Sequence, residues 1–470
     1  MEEIIALLQS DPAKAIETIK AQSTKKASDI DSYVKEYKDF DRNQREGQLE
    51  KIQLDKTLDA GKVSKMVKIY INHAQNIVET MAAFTIGKPI TLIPSEESNL
   101  AKLVKQIWRV NRIDSKLLDA TIIKFSQTQV AMQFYIVDAG ETSLLNKVLS
   151  YLKLKTQIKE IKAKVLDNTK GTMTPYFDAT GDMLLFMWEY KAKEGDKEVA
   201  NVQIWNEINM FHFKDGVLFG KPLLHGFDRI PVVYDSQDEP LWYTVKSPID
   251  RHEVALSKLG DSNDYSGHPI LLTEGEGISM PSKSESGKHF NIPIKLGGED
   301  GKTLIKGDVR FLEAQTAPES NKLELDKLED TIAYGSGVPN LSLEKLKSLG
   351  NVAEKTVKLM FIATDIKAAL KQSATRTFVE RCINIIVSGV TKTTNTTMAA
   401  EGKALYYDIQ FNSILPSDIA ETVTYLSNAV AGKFVSQKTA MGIIDLVDDH
   451  EAELAQIALE NKVGIVVPTA

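Results

Sequence analysis

Apolar residues recur at helical spacing along some stretches of this chain and alternate along others, the pattern of a mixed helical and sheet protein. KVSKMVKIYINHAQNIVETMAAFTIG (62–87) places Val67, Ile71, Ala74, Ile77, Val78 and Met81 on one helical face, with Gly87 as a C-terminal cap and Pro89 blocking continuation. A second helix is predicted over 98–128, a strand in VAMQFYIV (130–137), and a helix in the Lys/Leu-rich 144–166. Between 172 and 236 the runs shorten to MLLFMWEYK, VANVQIW and NMFHFK. Gly- and Asp-containing turns separate them, which predicts an antiparallel meander closed by RIPVVYD.

The pattern then changes. SPIDRHEVALSKLGDSND opens with Ser247, Pro248 and Asp250, a start resembling a capping box. Ile249, Leu256 and Leu259 share a face with His252 between them, and the helix should end near Gly267 and Pro269. ILLTEG follows as a strand, and 273–315 is rich in Gly and Ser with short β runs. A helix is predicted over 318–334, then a loop or broken helix over 335–350. A long helix starts at Asn351, where Glu354 completes a capping box, and reaches Ser388, about 55 Å at 1.5 Å per residue. TKTTNTT reads as a polar loop and LYYDIQF as a strand. Three short helices begin near Ser417, Ser436 and Asp448. Residues 1–60 are highly charged and helical in pattern, with Pro12 just inside a helix start. Their low apolar content predicts an arm or outer layer rather than core. No internal repeat is evident.

With 470 residues the chain exceeds one compact core, so two to four domains are expected. Apolar residues at 43% and charged residues at 26% are ordinary for a folded soluble chain. A net charge of −7 argues against nucleic-acid binding over the whole surface, while leaving room for a narrow local contact. One cysteine, Cys382, allows no intramolecular disulfide and suits a reducing compartment. MEEIIALLQSDPAK has no basic segment ahead of a long apolar core, so a secretory signal is not expected there. No apolar run approaches 18 residues, so no membrane span is expected.

Candidate chemistry fails on spacing. GGEDGKT (297–303) resembles a phosphate-binding loop, but Gly297 and Gly301 have three residues between them where four are needed, and LIKGD follows instead of a helix. A hairpin loop accounts for it. KLGDSNDYSGHPILL (258–272) gathers Asp261, Asn263, Asp264 and His268, yet the glycine and glutamate that a calcium loop requires are replaced by Ser266 and Leu272. Asp, Ser, Asn and Gly also end helices, and Pro269 forbids continuation, so this stretch reads as a joint formed by Gly260, Asp261, Asn263, Gly267 and Pro269. Cys382 lies in CINIIV, where a buried inert thiol is expected. No metal pattern, Gly-x-Ser-x-Gly elbow or other catalytic constellation is present. The expectation is a structural or binding protein with no cofactor and no metal, rather than an enzyme.

Four stretches, taken in order, resemble the portal proteins of long-tailed bacteriophages. These are INHAQNIVETMAAFTIGKPITL (71–92), RIPVVYDSQDEP (229–240), SPIDRHEVALSKLGDSNDYSGHPILL (247–272) and the segment from DIQFNSILPSD to ELAQIALE (408–460). The resemblance implies an α+β, mainly helical portal fold: an N-terminal helical arm over 1–60, a wing of helices and meander over 61–246, a stem helix over 247–266 and a small β-rich clip over 267–316. A second stem helix over 317–337, a tunnel-loop region over 338–350, a long helix over 351–390, a wing strand over 391–414 and crown helices over 415–470 complete it. Two departures stand out: Gly260 interrupts the stem helix, and the small-residue step before the long helix is reduced to Ser348-Leu349-Gly350-Asn351.

Portal proteins form a ring, usually of twelve copies, at one capsid vertex. Double-stranded DNA is packaged through it by the terminase motor and later ejected, without sequence readout and without enzymatic activity of the ring itself. The implied partners are further copies of the chain, double-stranded DNA, the large terminase subunit, head–tail connector proteins, and the major capsid protein and scaffold. The implied location is the virion, with assembly in the host cytoplasm. By the same resemblance Lys345, Lys347 and Ser348 fall at the tunnel loop. The two lysines either touch DNA phosphates there or belong to a solvated helical face beside Glu344. A helical adaptor that forms no ring is the rival reading; a packaging enzyme would need an ATP loop or carboxylate cluster that the chain lacks.

Overall fold

In a computed structural model the described residues are 4, 7–8, 10–21, 27–38, 55–57, 63–64, 66–138, 159–266, 270–274, 294–297, 303–306, 308–312, 318–339, 359–394, 396–414, 419–444 and 450–463. The meander is built from β6 (Gly171–Phe177), β7 (Met183–Glu194), β8 (Lys197–Trp205) and β9 (Asn209–Lys214), with the short β10 (Val217–Leu218) and β11 (Leu223–Leu224) both pairing with β9. Its apolar run MLLFMW is continuous because both faces are covered. Leu185, Met187, Ile204, Phe211 and Phe213 meet Ile4, Leu8, Ala15 and Ile19 on one side. Phe186, Trp188 and Trp205 meet Ala131, Val232 and Tyr234 on the other.

The first contact corrects an expectation. The N-terminal arm, with helices α1 (Pro12–Ala21) and α2 (Ala27–Lys38), is an outer layer that also supplies core: Leu8, Ala15 and Ile19 are fully buried against the sheet. A few apolar residues on one face suffice, however charged the other face is.

The second side of the meander packs on a separate sheet of order β12-β4-β5, formed by Val232–Ser236, Gln129–Asp138 and Lys159–Leu166. RIPVVYD therefore does not close the meander; it runs into Val232–Ser236, which pairs antiparallel with β4. The helix expected over 144–166 is a strand over its last eight residues, where KEIKAKVL alternates and pairs with β4 from Ala131↔Leu166 to Asp138↔Lys159. The helix expected over 98–128 is two helices, α4 (Asn99–Val110) and α5 (Ile113–Gln127). Between them Arg112 takes a left-handed φ of 50°, and buried Asn111 bonds the Ile107 and Ile161 carbonyls and the Ala163 N–H. That side chain supplies the hydrogen bonds that hold the break and tie it to β5.

Helix α3 (His73–Ile86) begins eleven residues later than the periodicity predicts. Its buried face of Ala74, Ile77, Val78 and Met81 is as expected, while Val67 and Ile71 lie outside the helix in a segment described below. Strand β3 (Thr91–Pro94) pairs with β17 (Tyr407–Gln410), the LYYDIQF strand. The polar TKTTNTT is partly helical, with a π turn over Val390–Thr394 and a 3-10 turn over Thr396–Met398; Thr393 donates to the Gly226 carbonyl.

Three further helices define the region of interest: α6 (Lys246–Ser266), α7 (Pro318–Ser336) and α8 (Ile362–Gly389). The start predicted for the long helix at Asn351 lies outside the described residues. Helix α8 spans two cores: Ala368 joins α3, α5, α6 and α7, while Phe378, Val379, Cys382, Ile383 and Ile386 join α4, β4 and β5. After a short α9 (Ala399–Ala404) come α10 (Ile419–Ala431), α11 (Gln437–Ile444) and α12 (His450–Val463), close to the three terminal helices predicted.

Candidate functional site

Helices α6 and α7 run side by side in opposite directions. Arg251 pairs with Glu324 and His252 faces Glu329, while Val245, just before α6, lies against Gly335 at the far end of α7. Between the two helices lie the strands β13 (Ile270–Glu274), β14 (Ile294–Gly297), β15 (Thr303–Lys306) and β16 (Asp308–Leu312). They form two antiparallel pairs, β13 with β16 and β14 with β15. The pairing of Gly297 with Thr303 encloses GGEDGKT in a hairpin, the structure its spacing favoured over a phosphate site.

The body of the protein grips α6 through an uncommon contact. The Val67, Ile69 and Ile71 N–H groups donate to Asp261 Oδ1 (2.8 Å), Ser257 Oγ (2.9 Å) and Glu253 Oε1 (3.1 Å). Alternate N–H groups on one side are the mark of an extended chain, advancing about 6.6 Å per two residues. Acceptors four residues apart on a helix advance about 6 Å. The two periods nearly match, so three successive bonds form in register. Gly260 completes the fit: a Cβ there would sit 3.1 Å from Val67 Cγ1.

Next along the chain, His73 Nε2 lies 3.2 Å from His252 Nδ1, and His252 Nε2 lies 3.8 Å from Glu329 Oε1. An Nε2 proton on each ring would let His73 donate to His252 and His252 point its N–H at the carboxylate. His252 is buried, and burial lowers its pKa despite the opposing pull of Glu329. Three elements, α3, α6 and α7, meet at this pair. Below it, Glu36 on α2 accepts from Trp242 Nε1 and Lys246 Nζ, fixing the entry to α6.

At the same end of the pair, just past α7, Gly337 turns the chain with a φ of +74°. Thr364 Oγ1 donates to the Gly337 carbonyl and Lys367 Nζ to the Gly335 carbonyl, each at 2.7 Å, which fixes α8 to the helix pair.

Of the residues singled out from sequence, Gly260, Asp261 and Asn263 lie inside α6, which runs unbroken to Ser266. Gly260 does not interrupt the helix; a helix tolerates one glycine, and this one is held under Val67. Asp261 is an acceptor for the docked segment, and Asn263 is exposed. Gly267, Pro269, Lys345, Lys347 and Ser348 lie outside the described residues. Glu253 and Ser257 were missed, although acceptors at 253, 257 and 261 opposite the alternating VKIYI carry the signal. Cys382 is fully buried beside Met132, its thiol pKa raised by desolvation, as an inert thiol should be. Among the described residues no cluster of His, Cys, Asp and Glu could hold a metal ion, and no helix is long and apolar enough to cross a membrane.

Residues 16–464 match the model of the phage portal protein family of SPP1 Gp6-like type. The chain belongs to that family. The family is a structural one, and its members are virion components. No curated protein sequence matches the chain. A chain from the neck of an empty GTA particle computed with C6 symmetry is similar at 11% identity over 80% of this chain and 89% of that one, with a TM-score of 0.35.

Proposed function

We propose that this portal-family protein assembles into a ring at one capsid vertex, through which double-stranded DNA is packaged by the terminase motor and later ejected. The observation that carries the reading is the family match over residues 16–464. The fold supports it: an antiparallel helix pair leaves a body and carries a small β-rich excursion. In this reading α6 and α7 are the stem, 267–316 the clip on which the terminase and then connector proteins dock, and the α/β body the wing. The last three helices are the crown. Residues 258–272 are the stem–clip joint, with Gly260 and Asp261 its body-side anchor.

A conduit must hold DNA without gripping it. Each phosphate contact adds salt-dependent affinity, and a chain of net charge −7 offers few of them. Lys345, Lys347 and Ser348 are assigned to the loop facing the DNA. Replacing both lysines with alanine should slow packaging and flatten its salt dependence, and an unchanged rate and salt dependence would remove the assignment. Negative-stain images of the purified protein test the ring: annular particles with a central hole are expected, and small compact particles would overturn the reading.

A further inference from the structure

The first half of α8 is turned inside out. Its cations face the protein's own body: Lys367 bonds the Gly335 carbonyl, Lys371 lies over the Phe125 ring, and Arg376 donates to the Ile409 carbonyl at 2.7 Å. Its outward face is apolar. Ile362, Ile366 and Leu370 are 52%, 59% and 73% exposed, with Ala363, Ala369 and Ala374 between them. Ser373 and Thr377 continue the face, and Asp365 is the one charged residue among the exposed positions from 362 to 377. A helix on a water-facing surface shows the opposite polarity. Farther along, the same face reaches Arg381 and Asn384, which line a cleft of about 760 Å³ with Phe177, Arg229 and Ile230.

We propose that this face of α8 is a self-contact, buried against the next copy of the chain; the proposal rests on the ring reading and adds the surface that closes it. The size of the face favours a second copy. From Ile362 to Asn384 it runs about 33 Å, and half the circumference of a helix ~11 Å across gives roughly 570 Å². That falls short of the ~800 Å² each partner contributes to a stable isolated complex. In a closed head-to-tail ring each copy makes the contact twice, once with this face and once with its complement, so a smaller face suffices. The alanines let a neighbouring helix approach closely, and with Asp365 the one charge over four turns the desolvation cost of burial is small.

The test uses the full-length chain. Ile366→Lys with Leu370→Lys changes two side chains that are exposed in the monomer, so the fold should survive, as far-UV circular dichroism would check. Mass photometry should show rings for the wild type, and for the variant monomers at concentrations at least ~100-fold above those at which the wild type assembles. Rings formed by the variant at wild-type concentration would overturn the self-contact and leave the ring reading intact. Wild-type protein that stays monomeric would remove both. A second variant covers the case of misfolding. Ala369→Cys adds a thiol on the face, the native Cys382 being buried. Maleimide should label it at least ~10-fold more slowly in assembled particles than in dissociated protein, and equal rates would show the face open and overturn the proposal.

Discussion

A backbone N–H withdrawn from water needs an acceptor, and Val67 finds one in Asp261, far along the sequence but adjacent in the fold. Removing that acceptor should cost about 1–2 kcal/mol. Asp261→Ala should therefore speed amide exchange at Val67 and lower the thermal midpoint, while Asp261→Asn, which keeps an oxygen there, should retain most of the protection. Unchanged exchange in the alanine variant would mean the contact holds nothing. His252 gives a second residue-scale prediction. Burial holds its pKa below the ordinary ~6.5, so the unfolded chain takes up this proton at a higher pH than the folded one. Its contribution to stability is whole above about pH 6.5 and is lost progressively as pH falls from there through the lower pKa of the folded state. His212 and His225 are shifted the same way, also by burial. The thermal midpoint should fall from pH 7 to 5, and less steeply in His252→Gln; identical slopes would contradict the role given to His252.

At the scale of elements, the sequence was legible where one period dominates and misleading where a tertiary partner decides. The meander, α6, α7 and the three terminal helices follow from turn residues and helical periodicity. The stretch from Val67 to Ile71 satisfies a helical template and an alternating one at once, and the acceptors of α6, remote in sequence, settle it as extended. The same holds for Lys159–Leu166, whose lysines suggest a helix until β4 pairs with it. The arm's role was hidden by its charge, because only a few of its side chains touch the sheet. Ile19, fully buried there, makes that role testable. Ile19→Ala should cost about 2–4 kcal/mol by loss of transfer energy and the cavity left behind, read as a lower urea midpoint for the body. An unaltered midpoint would mean that the arm adds nothing to the core.

At the scale of the whole molecule, the family was legible through the order of elements and the four stretches that resemble it, and not through any catalytic motif. The device that holds the helix pair was harder to see: Glu253 and Ser257 look like ordinary solvated positions, and Asp261 like part of a helix end, until an extended chain lies across them. By this comb, by the His73–His252 contact and by the bonds from α8 to Gly335 and Gly337, α6 and α7 are fixed to the body. A rigid pair of this kind can stand around a channel without closing on what passes through. The most direct test is a single-particle cryo-EM reconstruction of the assembled full-length protein. A closed ring is expected, with a hole wide enough for duplex DNA, walled by repeated α6–α7 pairs. A compact particle without a hole, or a ring whose α6–α7 pairs point away from the axis, would contradict it.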